Sequence, residues 1–535
     1  MASESPAAPG RVRVPPSPLH PARGRTLADI VAGWASWSPD RVALIDSGGA
    51  RTWGWLQARV EAFAAGLARY GVGRGAAVAV AEAPVADMVA LYLATARAGA
   101  VLIPLNLRWR EAELRRVREV ITPALALAAA EHRAVAAAAV PAATATLASD
   151  PDASWGDRLA AAGGAVPEPE GGYDDPHLLL FTSGTTGRPK AAVLGQRRSV
   201  GDAAAAALAS GVRAGDRLLG YQPLFHTGGW DFLKQYLLVG GSAVLMSSFD
   251  PDQAVELIER HRCTSLFAVP LVLLRIMESP RFADADLSSL RRLMFASYDP
   301  SDLILTAADA FRSRGAAGLT LEHVYGQTEA GSFITTLRSE DARRPEALES
   351  VGTPVPGVTV GLLDPRLRPV APGEIGEVCV KAETVMLGYL GDPAATAEAF
   401  RGGWLHTGDL GRQDAAGRLR LSGRLKEMIR TAGENVYPKE VEQVLAAHPQ
   451  VTDCAVFGVP DARWDERVVA VVVGGGDPGR AAPREDELIA YLKARLAGYK
   501  VPRKIQVVPA IPKTPAGKTA RQLLPGLLGS VDARG

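Results

Sequence analysis

Three cysteines in 535 residues, at positions 263, 379 and 454, are too sparse for a disulfide framework and lack the paired spacing of a zinc site. They read as small buried hydrophobes in a reducing cytoplasm, the compartment expected for this chain. An excess of one charge sign is also missing. Fifty-nine Lys and Arg against 58 Asp and Glu leave a net charge of +1, which argues against nucleic acid or an anionic membrane surface as partner. There is no run of about 18 uncharged apolar residues, so no membrane-spanning helix is expected. The opening segment MASESPAAPGRVRVPPSPLHPARGR has no apolar stretch of a secretory leader, and its Pro, Ala and Arg content reads as a disordered tail over 1–25.

What is present is an ordinary globular composition, 47% hydrophobic and 22% charged, on a chain too long for one core. From residue 26 to about 130 the pattern alternates. It predicts a helix over 27–37, a hairpin around Gly48 and Gly49, a helix over 55–70, a strand over 77–81, a helix over 85–98 and a strand over 101–104. Short β-branched runs separated by helices imply a parallel, doubly wound sheet. Residues 124–172 are Ala-rich and then rich in Pro, Gly and Glu, and AAGGAVPEPEGGYDD reads as a surface connection. A second α/β unit is expected over 198–325, a β-rich subdomain over 351–422, and a separate α+β unit from about 425 onward, with the boundary at 423–426.

Five segments carry chemistry. The first, TSGTTGRPK at 182–190, follows the apolar strand HLLLF. Thr182, Ser183, Gly184, Thr185, Thr186 and Gly187 can curl around an anion and donate hydroxyl and backbone N–H groups, with Lys190 adding charge. The P-loop spacing is absent. The second is YGQTE: Tyr325 can stack on a base beside Gly326 and Thr328, and Glu329 can hold the Mg²⁺ that accompanies ATP. The third, GWLHTGDL, places Asp409 after a glycine, where a carboxylate can accept from ribose hydroxyls. The fourth is GRLKE with TAGEN, containing Arg424, Lys426 and Gly433. The fifth, PKTPAGK, ends in Lys518, a cation able to neutralise charge at an attacked phosphate.

In this order and with these separations, the segments resemble the acyl-activating, AMP-binding adenylate-forming family of acyl-CoA synthetases, firefly luciferase and nonribosomal peptide adenylation domains. The resemblance runs from about residue 26 to the C-terminus. It implies an α/β fold: a large N-terminal domain of two α/β sheets plus a β-barrel subdomain over 26–422, a hinge at 423–427, and a small mobile α+β C-terminal domain over 428–535. It also implies two half-reactions, in which a carboxylate attacks the ATP α-phosphate and an acceptor then attacks the adenylate after the C-terminal domain rotates.

By that resemblance, residues 182–190 cradle the β- and γ-phosphates, Thr328 contacts the α-phosphate and Glu329 coordinates Mg²⁺. Tyr325 stacks on adenine, with Gly326 beside it, and Asp409 and Arg424 bind the ribose. Lys518 bridges the attacking oxygen and the α-phosphate, Lys426 is the hinge position, and Gly433 lies at the acceptor tunnel. His226, in PLFHTGG, borders the acid together with Gly228.

The chain departs from the family pattern at three places. Ala191 replaces a usual Gly, Gln196 replaces a common His, and ASYDP at 296–300 replaces a Gly-Gly-Ala-Pro loop. Tyr298 therefore enters the acid pocket and Asp299 adds a carboxylate near the acid or the adenine, which favours a small or polar acid, or a substrate bearing an amine that Asp299 can pair with. CoA is the expected acceptor and co-substrate. An amine or other nitrogen acceptor, as in amide-forming or nitrite-activating relatives, is the alternative, and a separate carrier protein is a third. The oligomeric state is left open.

Overall fold

The computed structural model describes residues 25–142, 144–182, 190–297, 302–338, 341–342, 345–431, 434–461, 463–474, 483–513 and 519–528. Apart from Arg25, the expected N-terminal tail lies outside the described residues.

Two large mixed sheets, of nine and seven strands, form the body of the N-terminal part. Side-chain alternation along their strands sets the layers. In the seven-stranded sheet Val78, Val80, Leu125 and Leu127 face one core, whereas Ala79, Ala81, Ala126 and Ala128 face another. In the nine-stranded sheet Leu218, Ala243 and Met294 face the first of these cores, and Leu219, Val244 and Leu293 face away from it. The shared core is filled by the helices Trp53–Arg69, Ala86–Ala98, Gln196–Ser210 and Thr227–Val239, which therefore lie between the sheets. Ala86–Ala98 is buried on nearly every side, which is why its sequence is apolar all round.

The helix Leu27–Trp37 and the strands Ala77–Ala81 and Val101–Pro104 occupy the residues predicted for them. Two points go beyond the sequence reading. The hairpin Val42–Asp46 with Gly49–Thr52 does not join the first sheet: Val42–Asp46 pairs in parallel with Ser242–Leu245, so it completes the nine-stranded sheet. The Ala-rich stretch is more than a connection. It contains strands Leu125–Ala128 and Ala145–Ala148 and helices Arg133–Ala139 and Trp155–Ala161, and only the part after residue 163 is irregular up to Pro176.

The β-rich subdomain is a four-stranded antiparallel sheet of Thr359–Leu363, Gly376–Lys381, Leu405–Gln413 and Leu419–Arg424. The expected barrel is open: its outer strands are not paired with one another among the described residues. A short 3₁₀ turn, Leu425–Glu427, leads to the C-terminal five-stranded sheet. Helices Pro438–Ala446 and Glu485–Lys493 pack on one face of that sheet through Val441, Leu445, Leu488 and Leu492.

The two nucleotide-type motifs share a topological position. Strand Pro176–Thr182 is the last parallel strand before the antiparallel Lys190–Gly195, and Thr320–Gln327 is the last before the antiparallel Gly331–Leu337. Both loops leave carboxyl ends of parallel strands where the sheet changes direction, the place where open α/β sheets leave room for ligands.

Candidate active site

Thr182 and Lys190 face each other across the antiparallel pair, so both ends of the phosphate-type loop are held by a sheet. Ser183, Gly184, Thr185, Thr186 and Gly187 lie outside the described residues. Tyr325 and Gly326 end one strand, while Thr328 and Glu329 sit on the turn into the next. A β-carbon on Gly326 would lie 2.2 Å from the Gly331 carbonyl oxygen, so this turn needs glycine there.

Three residues expected at the nucleoside converge on one carboxylate. The Tyr325 hydroxyl donates to Asp409 Oδ2 at 2.7 Å, and Arg424 Nε meets Oδ1 at 2.8 Å. Asp409 and Arg424 stand opposite each other on paired strands, and Gly408 before them has φ +71°. Asp409 is 1% exposed and Tyr325 7%, so the Tyr325 ring is fixed by a hydrogen bond that the motif alone did not reveal. Charge-assisted hydrogen bonds of this kind contribute about 1.5–3 kcal/mol. Asp409→Asn keeps the shape but removes the charge. It is expected to raise KM for ATP about tenfold with little change in kcat, measured by pyrophosphate release.

Glu329 forms the second centre. The Tyr389 hydroxyl donates to its Oε1 at 2.9 Å, and the Met386 N–H donates to its backbone carbonyl at 2.7 Å. Lys190 Nζ lies 4.6 Å from the centre of the Tyr389 ring. Burial and the Glu329 carboxylate both push the Tyr389 phenol up, which keeps it a donor. Among the described residues Oε2 of Glu329 accepts no hydrogen bond, so the carboxylate is gripped by one oxygen. One carboxylate completed by phosphate oxygens and waters suits Mg²⁺. The residues present fit that ion.

His226 caps the helix Thr227–Val239, its Nδ1 accepting from the Gly228 N–H at 3.2 Å. The ring is exposed. A β-carbon on Gly228 would lie 2.9 Å from the Gln222 side-chain nitrogen, and one on Gly229 would lie 2.5 Å from the Pro223 carbonyl oxygen. Beneath this helix start Leu218, Leu224, Phe232, Leu245 and Phe267 pack as part of the buried core, with the Gln222 amide at their edge and a space of only about 10 Å³ among them. Tyr298 and Asp299 lie outside the described residues. Ser297, just before them, has its carbonyl 2.9 Å from His323 Nε2.

Sequence reasoning missed a buried charge cluster behind His226. Asp231 meets Lys234 at 2.8 Å and Arg198 at 3.1 Å, and accepts from Thr227 at 2.8 Å and from the Ser332 hydroxyl at 2.8 Å. Arg198 also donates to the Thr328 carbonyl. Burial pulls the Asp231 carboxyl up, but Lys234 and Arg198 overcome this and hold it well below the usual range. The neighbouring Asp202 behaves oppositely: burial, followed by the Asp231 charge, raises it to about 7. The pair Arg197 and Arg198 after the strand was the only available signal, and nothing in it says which arginine turns inward.

The folded pKa of Asp202 lies above its unfolded value. The stability it contributes is thus complete below about pH 4 and is lost as pH rises through about 7. Asp202→Asn mimics the protonated acid. Its Tm is expected to gain on the parent progressively between about pH 4 and pH 7 and to level off above that, read by thermal melts; the Asp231 effect falls below this window.

Lys426 is exposed on the 3₁₀ turn. Glu427 beside it meets Arg521 at 2.9 Å, and Arg521 also meets Glu442 at 2.8 Å, so this segment is tied to the C-terminal part. Gly433 and Lys518 lie outside the described residues, although Lys513 and Thr519 on either side of Lys518 pair as an antiparallel bridge. Glu377, Cys379 and His406 bring three metal-type donor atoms within 4.8 Å of one another. Their groups already serve each other and Arg401: His406 Nδ1 and Arg401 meet Glu377 Oε2 at 2.8 and 2.7 Å. The Gly408 N–H donates to Glu377 Oε1, so the cluster braces the bend before Asp409.

The family model described as AMP-binding enzyme matches residues 31–390, and that of the AMP-binding enzyme C-terminal domain matches 440–518. The chain is 38% identical to a feruloyl-CoA synthase of an Amycolatopsis species over 90% of its length and 95% of the relative's. It is 34% identical to an indoleacetate–CoA ligase of Aromatoleum aromaticum, over 87% and 91%. Two similar solved structures are ATP-bound MatB from Rhodopseudomonas palustris, at 31% identity, TM-score 0.81, and coverage of 94% and 98%, and the amide bond synthetase McbA from Marinactinospora thermotolerans, at 30%, 0.81, and 94% and 100%. With these matches across both parts of the chain, the protein belongs to the AMP-binding, adenylate-forming enzyme family and is an ATP-dependent, AMP-forming ligase.

Proposed function

We propose that the enzyme activates a small carboxylic acid as an acyl-adenylate, releasing pyrophosphate, and transfers the acyl group to CoA. The observation that carries this reading is the convergence of Tyr325, Asp409 and Arg424 at one centre and of Glu329 and Lys190, through Tyr389, at another. Asp409 and Arg424 receive the ribose, Tyr325 borders adenine, and Thr328 contacts the α-phosphate. Residues 182–190 enclose the outer phosphates. Glu329 holds Mg²⁺, which when bound screens the phosphate charge. His226 and Gly228 border the acid. By the family resemblance Tyr298 borders the acid, and a compact acid then fits better than a long chain. The feruloyl- and indoleacetate-activating relatives favour the same class.

In the second half-reaction the segment 423–427 acts as the hinge, Lys426 turns, and Gly433 leaves room for the incoming thiol. A nitrogen acceptor is the second reading, favoured by the amide bond synthetase neighbour. Pyrophosphate and AMP release from purified enzyme, measured over a panel of aryl, short-chain and long-chain acids, each with CoA, with amines and with neither, tests both. CoA-dependent AMP release with compact acids is the expected result. Amine-dependent release without CoA would transfer the assignment to the second reading.

A further inference from the structure

Tyr389 belongs to none of the five chemistry-bearing segments, yet it touches two residues that do. It lies on the two-residue strand Gly388–Tyr389, which pairs with Lys190–Gly195 through Tyr389 and Ala192. The chain is fixed on both sides of it: the Leu387 N–H donates to Val193 and the Leu390 N–H to Ala191, each at 2.8 Å. The Tyr389 N–H donates to Thr396 Oγ1 at 2.9 Å. This backbone is thus bound to the strand that leaves the phosphate loop, and its side chain reaches across to the turn carrying Glu329. There the hydroxyl meets Glu329 Oε1 at 2.9 Å, while the ring carries Lys190 Nζ at 4.6 Å.

We propose that Tyr389 is the positioning residue for the metal-binding carboxylate: its hydroxyl fixes the rotation of Glu329 so that Oε2 would be free to hold the divalent cation that accompanies the nucleotide, and its ring holds Lys190 at the edge of the same site. This rests on the reading of Glu329 as the Mg²⁺ ligand. A glutamate on a turn has three rotatable bonds, and a hydrogen bond to one oxygen orders the carboxylate before the cation arrives. Outer hydrogen bonds of this kind typically alter metal affinity about 10–100-fold when removed. An ammonium over an aromatic face gains a smaller, separate attraction. The two contacts are separable because phenylalanine keeps the ring and loses only the hydroxyl.

The test is calorimetric binding of ATP to the full chain, without acid, over a Mg²⁺ series and in EDTA. Tyr389→Phe is expected to raise the Mg²⁺ concentration at which ATP binding is half-maximally tightened by about tenfold, with ATP affinity in EDTA and Tm unchanged. Tyr389→Leu is expected to show the same shift and also weaker ATP binding in EDTA, because Lys190 loses its ring. Glu329→Gln is the reference. If Glu329→Gln moves the Mg²⁺ midpoint and Tyr389→Phe leaves it within about twofold, the role of Tyr389 is overturned while the ligand reading stands. If Glu329→Gln leaves the midpoint in place, the ligand reading falls and this inference with it. A lowered Tm in Tyr389→Phe with an unmoved midpoint marks a packing residue and also overturns it.

Discussion

Lys518→Ala is expected to slow adenylate formation about a hundredfold or more while leaving transfer from pre-made acyl-adenylate near the parental rate. When a carboxylate attacks the α-phosphate, negative charge gathers on the attacking and phosphoryl oxygens. A cation held between them stabilises that state more than the ground state, so its loss falls on kcat and on kcat/KM together. Lysine serves as a compact charge on a long stem, able to reach in from a loop of a second domain. Under the proposed two-arrangement account, the transfer step is spared because the C-terminal part would by then have turned its other face to the site. Pyrophosphate release reads the first half-reaction, and AMP release from synthetic adenylate plus CoA reads the second. Equal loss in both would refute a division of labour between two arrangements of the C-terminal part.

Asp231→Leu is the second large effect, and it acts on stability. The carboxylate is 1% exposed and faces two buried cations, Arg198 and Lys234, both also 1% exposed. Forming such a pair gains little over a well-packed apolar group, because desolvation cancels most of the attraction. Breaking it is different: the two cations are left in a low dielectric with only Asp202 to offset them, at a cost of about 3 kcal/mol, the lower end of the range for a broken buried pair because Asp202 ionises more readily once the Asp231 charge is gone. The Ser332 hydroxyl and N–H would lose their acceptor as well. Denaturant unfolding should show that loss, and replacing Asp231, Arg198 and Lys234 together by apolar residues of similar size should recover most of it. A loss below about 1 kcal/mol for the single change would mean that water reaches the cluster. Through the Arg198 contact to the Thr328 carbonyl, the same cluster fixes the turn that bears Thr328 and Glu329, so it bears on the site as well as on the fold.

Much of the chemistry was legible because it is local. A strand that ends in TSGTTGRPK, or a glycine that precedes Asp409, is written in consecutive residues, and turn chemistry acts over that range. Tyr325, Asp409 and Arg424 were each read from their own segment, although 84 residues separate the first two. The helix Leu27–Trp37 was legible from its apolar spacing, and the structure adds the Thr26–Asp29 capping box that starts it. The Ala-rich stretch was not, since alanine contrasts too weakly with its neighbours for a strand such as Leu125–Ala128 to stand out.

Composition and pattern, then, determined by themselves the α/β class, the two-part division and the loops that carry glycine and hydroxyls, and the resemblance of five motifs to known ones pointed to the family. Only the tertiary structure decided which sheet takes the hairpin Val42–Asp46, that Tyr325 spends its hydroxyl on Asp409, which arginine of the 197–198 pair is buried, and that Tyr389 stands between Lys190 and Glu329. The physical reason is range. Backbone preference and side-chain periodicity act over a few residues, whereas strand pairing, charge burial and the grip on a carboxylate join groups from distant parts of the chain, and no local pattern names their partners.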